Sequence, residues 1–120
     1  MAKSETNERV KPIIIHDEEA GEDYTLEFNR ETVMWAESRG FDIEDVSKFT
    51  MTKVPELFYY AFRMHHKSIS RAETDRILFE KLGGLPEGVG ERLCELYALP
   101  FKALNGKENN AKNPKVTVEL

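Results

Sequence analysis

The sequence predicts an α+β fold, mainly α, in which an N-terminal β-hairpin packs on a bundle of four to five helices. Three observations carry that prediction. Residues 54–66, Val-Pro-Glu-Leu-Phe-Tyr-Tyr-Ala-Phe-Arg-Met-His-His, are the densest apolar and aromatic run of the chain. Within them Val54, Leu57, Phe58, Ala61, Met64 and His65 recur at helical three- and four-residue steps, and Tyr59, Tyr60 and Phe62 widen the stripe, so this helix reads as the central element. Upstream, the β-branched run Pro12-Ile13-Ile14-Ile15 and the alternating Tyr24-Thr25-Leu26-Glu27-Phe28 flank a polar, glycine-containing stretch, the pattern of two strands and a turn. Start and stop signals then punctuate the rest: Asn29 and Ser70 as N-caps, Gly40 and Gly83-Gly84 as helix ends.

Taken in order, residues 1–10 are polar and read as a flexible arm, residues 11–105 as a single globular domain, and residues 106–120 as a mobile C-terminal tail. The hairpin puts Tyr24, Leu26 and Phe28 on one face. A first helix from Asn29 to about Arg39 is expected to bury Val33, Met34, Ala36 and Trp35. Ile43, Val46 and Phe49, spaced by three, suit a short helical turn tucked under the domain. In the central helix Thr52 is the expected cap and Pro55 falls in the first turn, where its missing N–H costs nothing. The pattern Ser70-Arg71-Ala72-Glu73 is a capping box for a helix that turns Ile77, Leu78 and Leu82 inward. Pro86 opens the last helix, with Val89, Leu93, Leu96, Tyr97, Phe101 and Leu104 at near-heptad spacing, and Pro100 is expected to kink or split it near Leu99. Val116-Thr117-Val118-Glu119-Leu120 alternates like a strand that could join a sheet edge in this molecule or another.

Composition excludes several classes of function. A chain of 120 residues has room for one real core. Its net charge of −5 argues against nucleic acid as a partner, because phosphate affinity rests on clustered Lys and Arg. The single Cys94 excludes an internal disulfide and a multi-cysteine zinc site, which fits a reducing cytoplasm. No apolar run is long enough for a membrane span or a signal core.

No catalytic constellation, cofactor site or metal set can be assembled from the residues. His65 and His66 are adjacent, so on a helix they point about 100° apart and do not share an ion as an i, i+4 pair would; near a helix C-terminus they suit the exposed carbonyls. The acidic run Asp17, Glu18, Glu19, Glu22 and Asp23 lacks the ligand spacing of a calcium loop and reads as a solvated turn. Cys94 has no histidine beside it to activate it and reads as a packed thiol. Gly83, Gly84, Gly88 and Gly90 follow a helix rather than a strand and lack a Lys-Ser/Thr pair, so they do not cradle phosphate. Among the aromatics, four on consecutive turns exceed what one small bundle faces, and Tyr59 and Phe62 are the candidates for a protein contact.

Several stretches together, Tyr24 through Val33, Leu57-Phe58-Tyr59-Tyr60-Ala61-Phe62-Arg63-Met64-His65-His66, Thr74-Asp75-Arg76-Ile77-Leu78 and Glu95-Leu96-Tyr97-Ala98-Leu99-Pro100-Phe101-Lys102-Ala103-Leu104, resemble the tail assembly chaperones of long-tailed bacteriophages and prophages. The resemblance covers roughly residues 12–105. It implies a non-enzymatic protein of the host bacterial cytoplasm that binds the tape-measure protein, helps recruit tail-tube subunits and self-associates, with no cofactor. It also implies a longer frameshifted product, for which the codons of Lys112-Asn113 are the place to look. The other class of function the chain admits is a small phage-encoded regulatory or anti-host module that binds a host protein through the same aromatic face.

Overall fold

The computed structural model describes residues 10–105, 115–116 and 118–120. The expectations of a flexible arm over residues 1–9 and a mobile stretch over residues 106–114 lie outside the described residues. Among the described residues are two strands, β1 (Ile13–Asp17) and β2 (Glu22–Leu26), and five helices, α1 (Arg30–Ser38), α2 (Asp45–Lys48), α3 (Thr50–Phe62), α4 (Arg71–Arg76) and α5 (Val89–Asn105). The predicted α+β class, a hairpin followed by helices, is the observed one.

The hairpin is antiparallel, with Ile13 opposite Leu26, Ile15 opposite Tyr24 and Asp17 opposite Glu22. Its loop is tied locally: Asp17 Oδ1 accepts the Ala20 N–H at 3.0 Å, and Gly21 takes φ +68°, the left-handed conformation that favours glycine. A lone hairpin is marginal in water, so what holds it is the helix behind it. Tyr24, Leu26 and Phe28 turn inward and are buried, as their alternation requires. The Tyr24 ring meets Phe62 edge-on at 5.4 Å, and Phe28 meets Tyr97 at 5.0 Å. Beyond side chains, the Glu27 N–H donates to the Ala61 carbonyl at 3.0 Å, so the end of α3 closes the outer edge of β2.

Asn29 caps α1 as its sequence predicts, accepting the Thr32 N–H while the Thr32 hydroxyl accepts the Asn29 N–H. Val33 and Ala36 are buried, but Met34 faces out, because α1 has only one side against the core. Phe41, just past Gly40, is a core residue and packs on Tyr60 and Tyr97. Ile43 and Val46 are half-buried under the domain, whereas Phe49, expected to join them, is exposed at the junction of α2 and α3.

Helix α3 is the central element. It starts at Thr50, earlier than Thr52 as a cap would place it, and no side chain caps it. Pro55 therefore lies in the helix interior, where it removes the N–H that would reach the Met51 carbonyl. Packing offsets that loss, since Pro55, Leu57, Phe58, Tyr60, Ala61 and Phe62 are all buried. The helix can bury so wide an arc because β2, α1, α4 and α5 all pack on it.

Ser70 accepts the Glu73 N–H at 3.0 Å and so caps α4; the Glu73 carboxylate pairs with Arg76 instead of closing the box. After Arg76 the helix widens into a π turn, Ile77–Lys81, in which the Leu82 N–H reaches back five residues to the Ile77 carbonyl. The extra residue keeps Ile77 and Leu78 buried but turns Phe79 and Leu82 outward, which corrects the expectation that Leu82 is inside. Gly83 and Gly84, both at positive φ, then reverse the chain.

Helix α5 begins at Val89, three residues after Pro86, and buries Leu93, Leu96 and Tyr97. Of the expected kink or split at Pro100 the split does not occur: the helix runs on through Pro100 to Asn105, with Leu99 packed against the core. Past that proline the apolar pattern continues, and Phe101 and Leu104 are exposed. Val116, Glu119 and Leu120, and Val118 between them, form no strand in this chain.

Candidate functional site

The two histidines at the end of α3 are fasteners. His65 Nε2 donates to Glu27 Oε1 at 2.7 Å, and His66 Nε2 accepts the Thr25 N–H at 3.0 Å. Both therefore hold β2, where the sequence pointed to the helix's own carbonyls. Accepting from an amide requires His66 to be neutral at Nε2. Burial, with the neighbouring His65 adding to it, holds its imidazole below the usual histidine range. Among the described residues no group of three or more His, Cys, Asp or Glu could hold a metal ion.

Tyr59 and Phe62 do not form one surface. Phe62 is fully enclosed between Tyr24, Phe58 and His66, so it is a core residue that a partner cannot reach. That corrects its assignment as a protein contact: the hairpin covers the side of α3 that a helix bundle alone would leave open. Tyr59 is half-buried beside Trp35. The Trp35 indole lies between two guanidinium groups, Arg63 at 4.3 Å and Arg39 at 5.2 Å from its ring centre. Those cations and rings satisfy one another and leave little of this face for a ligand.

The remaining candidates are structural too. Asp17 turns out of the acidic loop, is almost enclosed, and pairs with Lys81 of the π turn; that hydrogen bond holds the Asp17 carboxyl below the usual carboxylate range and the Lys81 ammonium above its own. Spacing in sequence gave no sign of this pair, whose members are 64 residues apart. Burial pushes the Cys94 thiol up, away from a reactive thiolate. Tyr60 donates to Glu56 Oε2 at 2.7 Å, and burial pushes its phenol up to about 12. The Tyr97 hydroxyl is buried with no hydrogen-bond partner among the described residues, and burial pushes it up to about 12 as well.

The face between α1 and α5 is left open and is apolar. Between α1 and the second half of α5 runs a groove of about 610 Å³. Phe28, Val33 and Leu99 form its floor, and Met34, Phe101 and Leu104 form its walls. Those three walls are 52%, 36% and 76% exposed and line one apolar groove. Arg30 and Glu37 sit at its rim and make no ion pair among the described residues. The groove exists because α5 is longer than α1 and its last turns overhang the core. The sequence carried a signal for it: Phe101 and Leu104 extend the heptad spacing beyond any helix that could cover them.

The family described as Domain of unknown function (DUF5055) matches residues 1–120. The chain belongs to the DUF5055 family. No curated protein and no solved structure matches it. Among its described residues, this DUF5055 chain has no helix long and apolar enough to cross a membrane.

Proposed function

We propose that this DUF5055 chain is a tail assembly chaperone of a long-tailed bacteriophage, a non-enzymatic protein of the host bacterial cytoplasm whose client is the tape-measure protein. The α1/α5 groove is the observation that carries the reading. An amphipathic client helix presents apolar side chains at i, i+3, i+4 and i+7, and a groove with an apolar floor and, at its rim, a cation and an anion that make no ion pair among the described residues takes that face while leaving the polar face in water. A tape-measure chain exposes many such stripes until the tail tube encloses it, and masking them reversibly is what a small acidic domain with an open apolar groove can do. Tail-tube subunits are the second partner in this scheme. The resemblance in the stretches that build α1, α3 and α5 supports the phage setting, and the groove supports the binding mode.

Co-expression of the tagged chain with its neighbouring genes, followed by mass spectrometry of what co-purifies, tests the proposal. A very long helical protein should be recovered and should be lost with Met34→Asp or Leu104→Asp while circular dichroism stays unchanged. Recovery of a single host protein in its place, insensitive to those changes, would replace this reading with the regulatory one.

A further inference from the structure

Among the described residues the outer edge of β1 is unpaired, and Val116, Val118, Glu119 and Leu120, which belong to a strand-like stretch of sequence, pair with no strand either. The Thr25 and Glu27 N–H groups leave β2 on the side away from β1, toward His66 and Ala61. In an antiparallel ladder, opposite residues both point their backbone groups toward the partner strand or both point them away. Ile14 opposes Thr25 and His16 opposes Asp23, so their N–H and C=O groups face away from β2. No hydrogen bond among the described residues satisfies them. Apolar cover is missing at the same edge. On the core face of the hairpin Leu26 and Tyr24 are closed, but the residues opposite them, Ile13 and Ile15, are only half-buried. A hollow of about 520 Å³ opens beside Ile15, lined by Ile77 and Leu82 and, for the rest, by polar and charged side chains that include Glu19, Arg76, Glu80 and Lys81. Ile14, on the outer face, is 48% exposed.

Val116 and Val118 are 69% and 85% exposed, and Leu120 is fully exposed. Their alternation with polar residues is that of a half-buried strand. We propose that the open edge of β1 receives residues 116–120 of a second copy of this chain, and that two chains exchange these strands reciprocally in a two-fold dimer. An antiparallel register with Glu119 opposite Ile14 sets Val118 beside Ile15 and Leu120 beside Ile13. The apolar side chains then cover the uncovered half of the core face, and Glu119 stays on the solvent face. A second copy is the fitting donor because in the chain by itself Val116, Val118 and Leu120 lie exposed, and among the described residues none of them pairs with that chain's own β1. Isologous exchange brings each segment to the other copy's edge and makes the contact twice.

Light scattering coupled to size exclusion, run on the full chain over a dilution series, should give the mass of two chains at the higher concentrations. Val118→Asp places a carboxylate on the face to be buried. Ile14→Pro removes an edge donor that the β1–β2 ladder does not use, so the hairpin keeps its own bonds. Each change should weaken dimerisation at least about tenfold, with circular dichroism as the check on folding. In a Cys94→Ala background, mixing Ile15→Cys chains with Val118→Cys chains should give a disulfide-linked pair, and mixing Ile15→Cys with Glu119→Cys should not. The mass of one chain throughout the series, or a dimer indifferent to both Val118→Asp and Ile14→Pro, would overturn the proposal.

Discussion

Replacing His66 by alanine tests whether the hairpin is held to α3 by the contacts described. The Thr25 N–H, partly buried, loses its acceptor, which costs about 1 kcal/mol. The edge-on ring contacts with Tyr24 at 5.3 Å and Phe62 at 6.2 Å disappear with the imidazole, roughly another 1 kcal/mol together. A loss of about 2 kcal/mol in a domain of this size lowers the melting temperature by roughly 10 °C. The effect carries a pH signature. Burial and His65 depress the folded-state pKa of His66 below its ordinary value of 6.5, and the pull of Glu22 the other way is smaller. A depressed histidine binds its proton more readily when the chain is unfolded. Its stabilisation is therefore complete above the ordinary value and is lost as the pH falls through 6.5 toward the folded value. Thermal melts followed by circular dichroism, from neutral to mildly acidic pH, should show parent and His66→Ala far apart at neutral pH and converging as the pH drops. His66→Gln, which can accept the same N–H without titrating, should sit between them at neutral pH, with a gap from His66→Ala that does not change as the pH falls. If the gap between parent and His66→Ala were absent, or constant across the range, the account of how the hairpin is attached would be wrong.

Other consequences can be measured in the same way. Phe62→Ala should cost about 3–5 kcal/mol in a denaturant titration, because the ring is wholly enclosed and its neighbours cannot close the cavity, whereas Tyr59→Ala should cost clearly less. Tyr97→Phe removes a buried hydroxyl that has no partner among the described residues, so stability should stay level or rise by up to about 1 kcal/mol; a loss as large as that would mean that the hydroxyl is bonded in solution. Asp17→Asn should destabilise the chain at neutral pH. The depressed Asp17 carboxyl contributes only above its unfolded pKa and loses that contribution as the pH falls through its folded one, so parent and variant should become equal in acid. Met34→Asp and Leu104→Asp, on exposed positions, should leave the melting temperature nearly unchanged while abolishing capture of a helical client.

Much of the fold is legible in the sequence wherever one local rule decides it. The alternation at Tyr24, Leu26 and Phe28, the cap at Asn29 and the glycine stops after α1 and α4 each depend on neighbours within a few residues. The misread positions are those where a distant element decides. Pro55 reads as a first-turn proline because nothing local reveals that α3 begins at Thr50. Leu82 follows the helical period of Ile77 and Leu78 until a π turn shifts it by one residue. Phe62 reads as surplus aromatic area unless the hairpin is known to lie over that side of the helix. The groove was half legible: Phe101 and Leu104 are visible as an apolar continuation, but the exposure of Met34 depends on how much shorter α1 is than α5. The Asp17–Lys81 pair, formed across most of the chain, leaves no trace in composition or spacing.

The π turn at the end of α4 has a consequence for how this chain can change length. Removing one residue from Ile77–Lys81 would restore a regular helix and rotate everything beyond by about 100°. The ammonium of Lys81 would swing off the Asp17 carboxylate, leaving a nearly enclosed anion alone at the hairpin turn. Family members one residue shorter at this point should therefore carry neutral side chains at both positions. Those that keep the acid at the turn should keep the extra residue as well. An insertion or deletion here is thereby tied physically to the charge at a position 64 residues away.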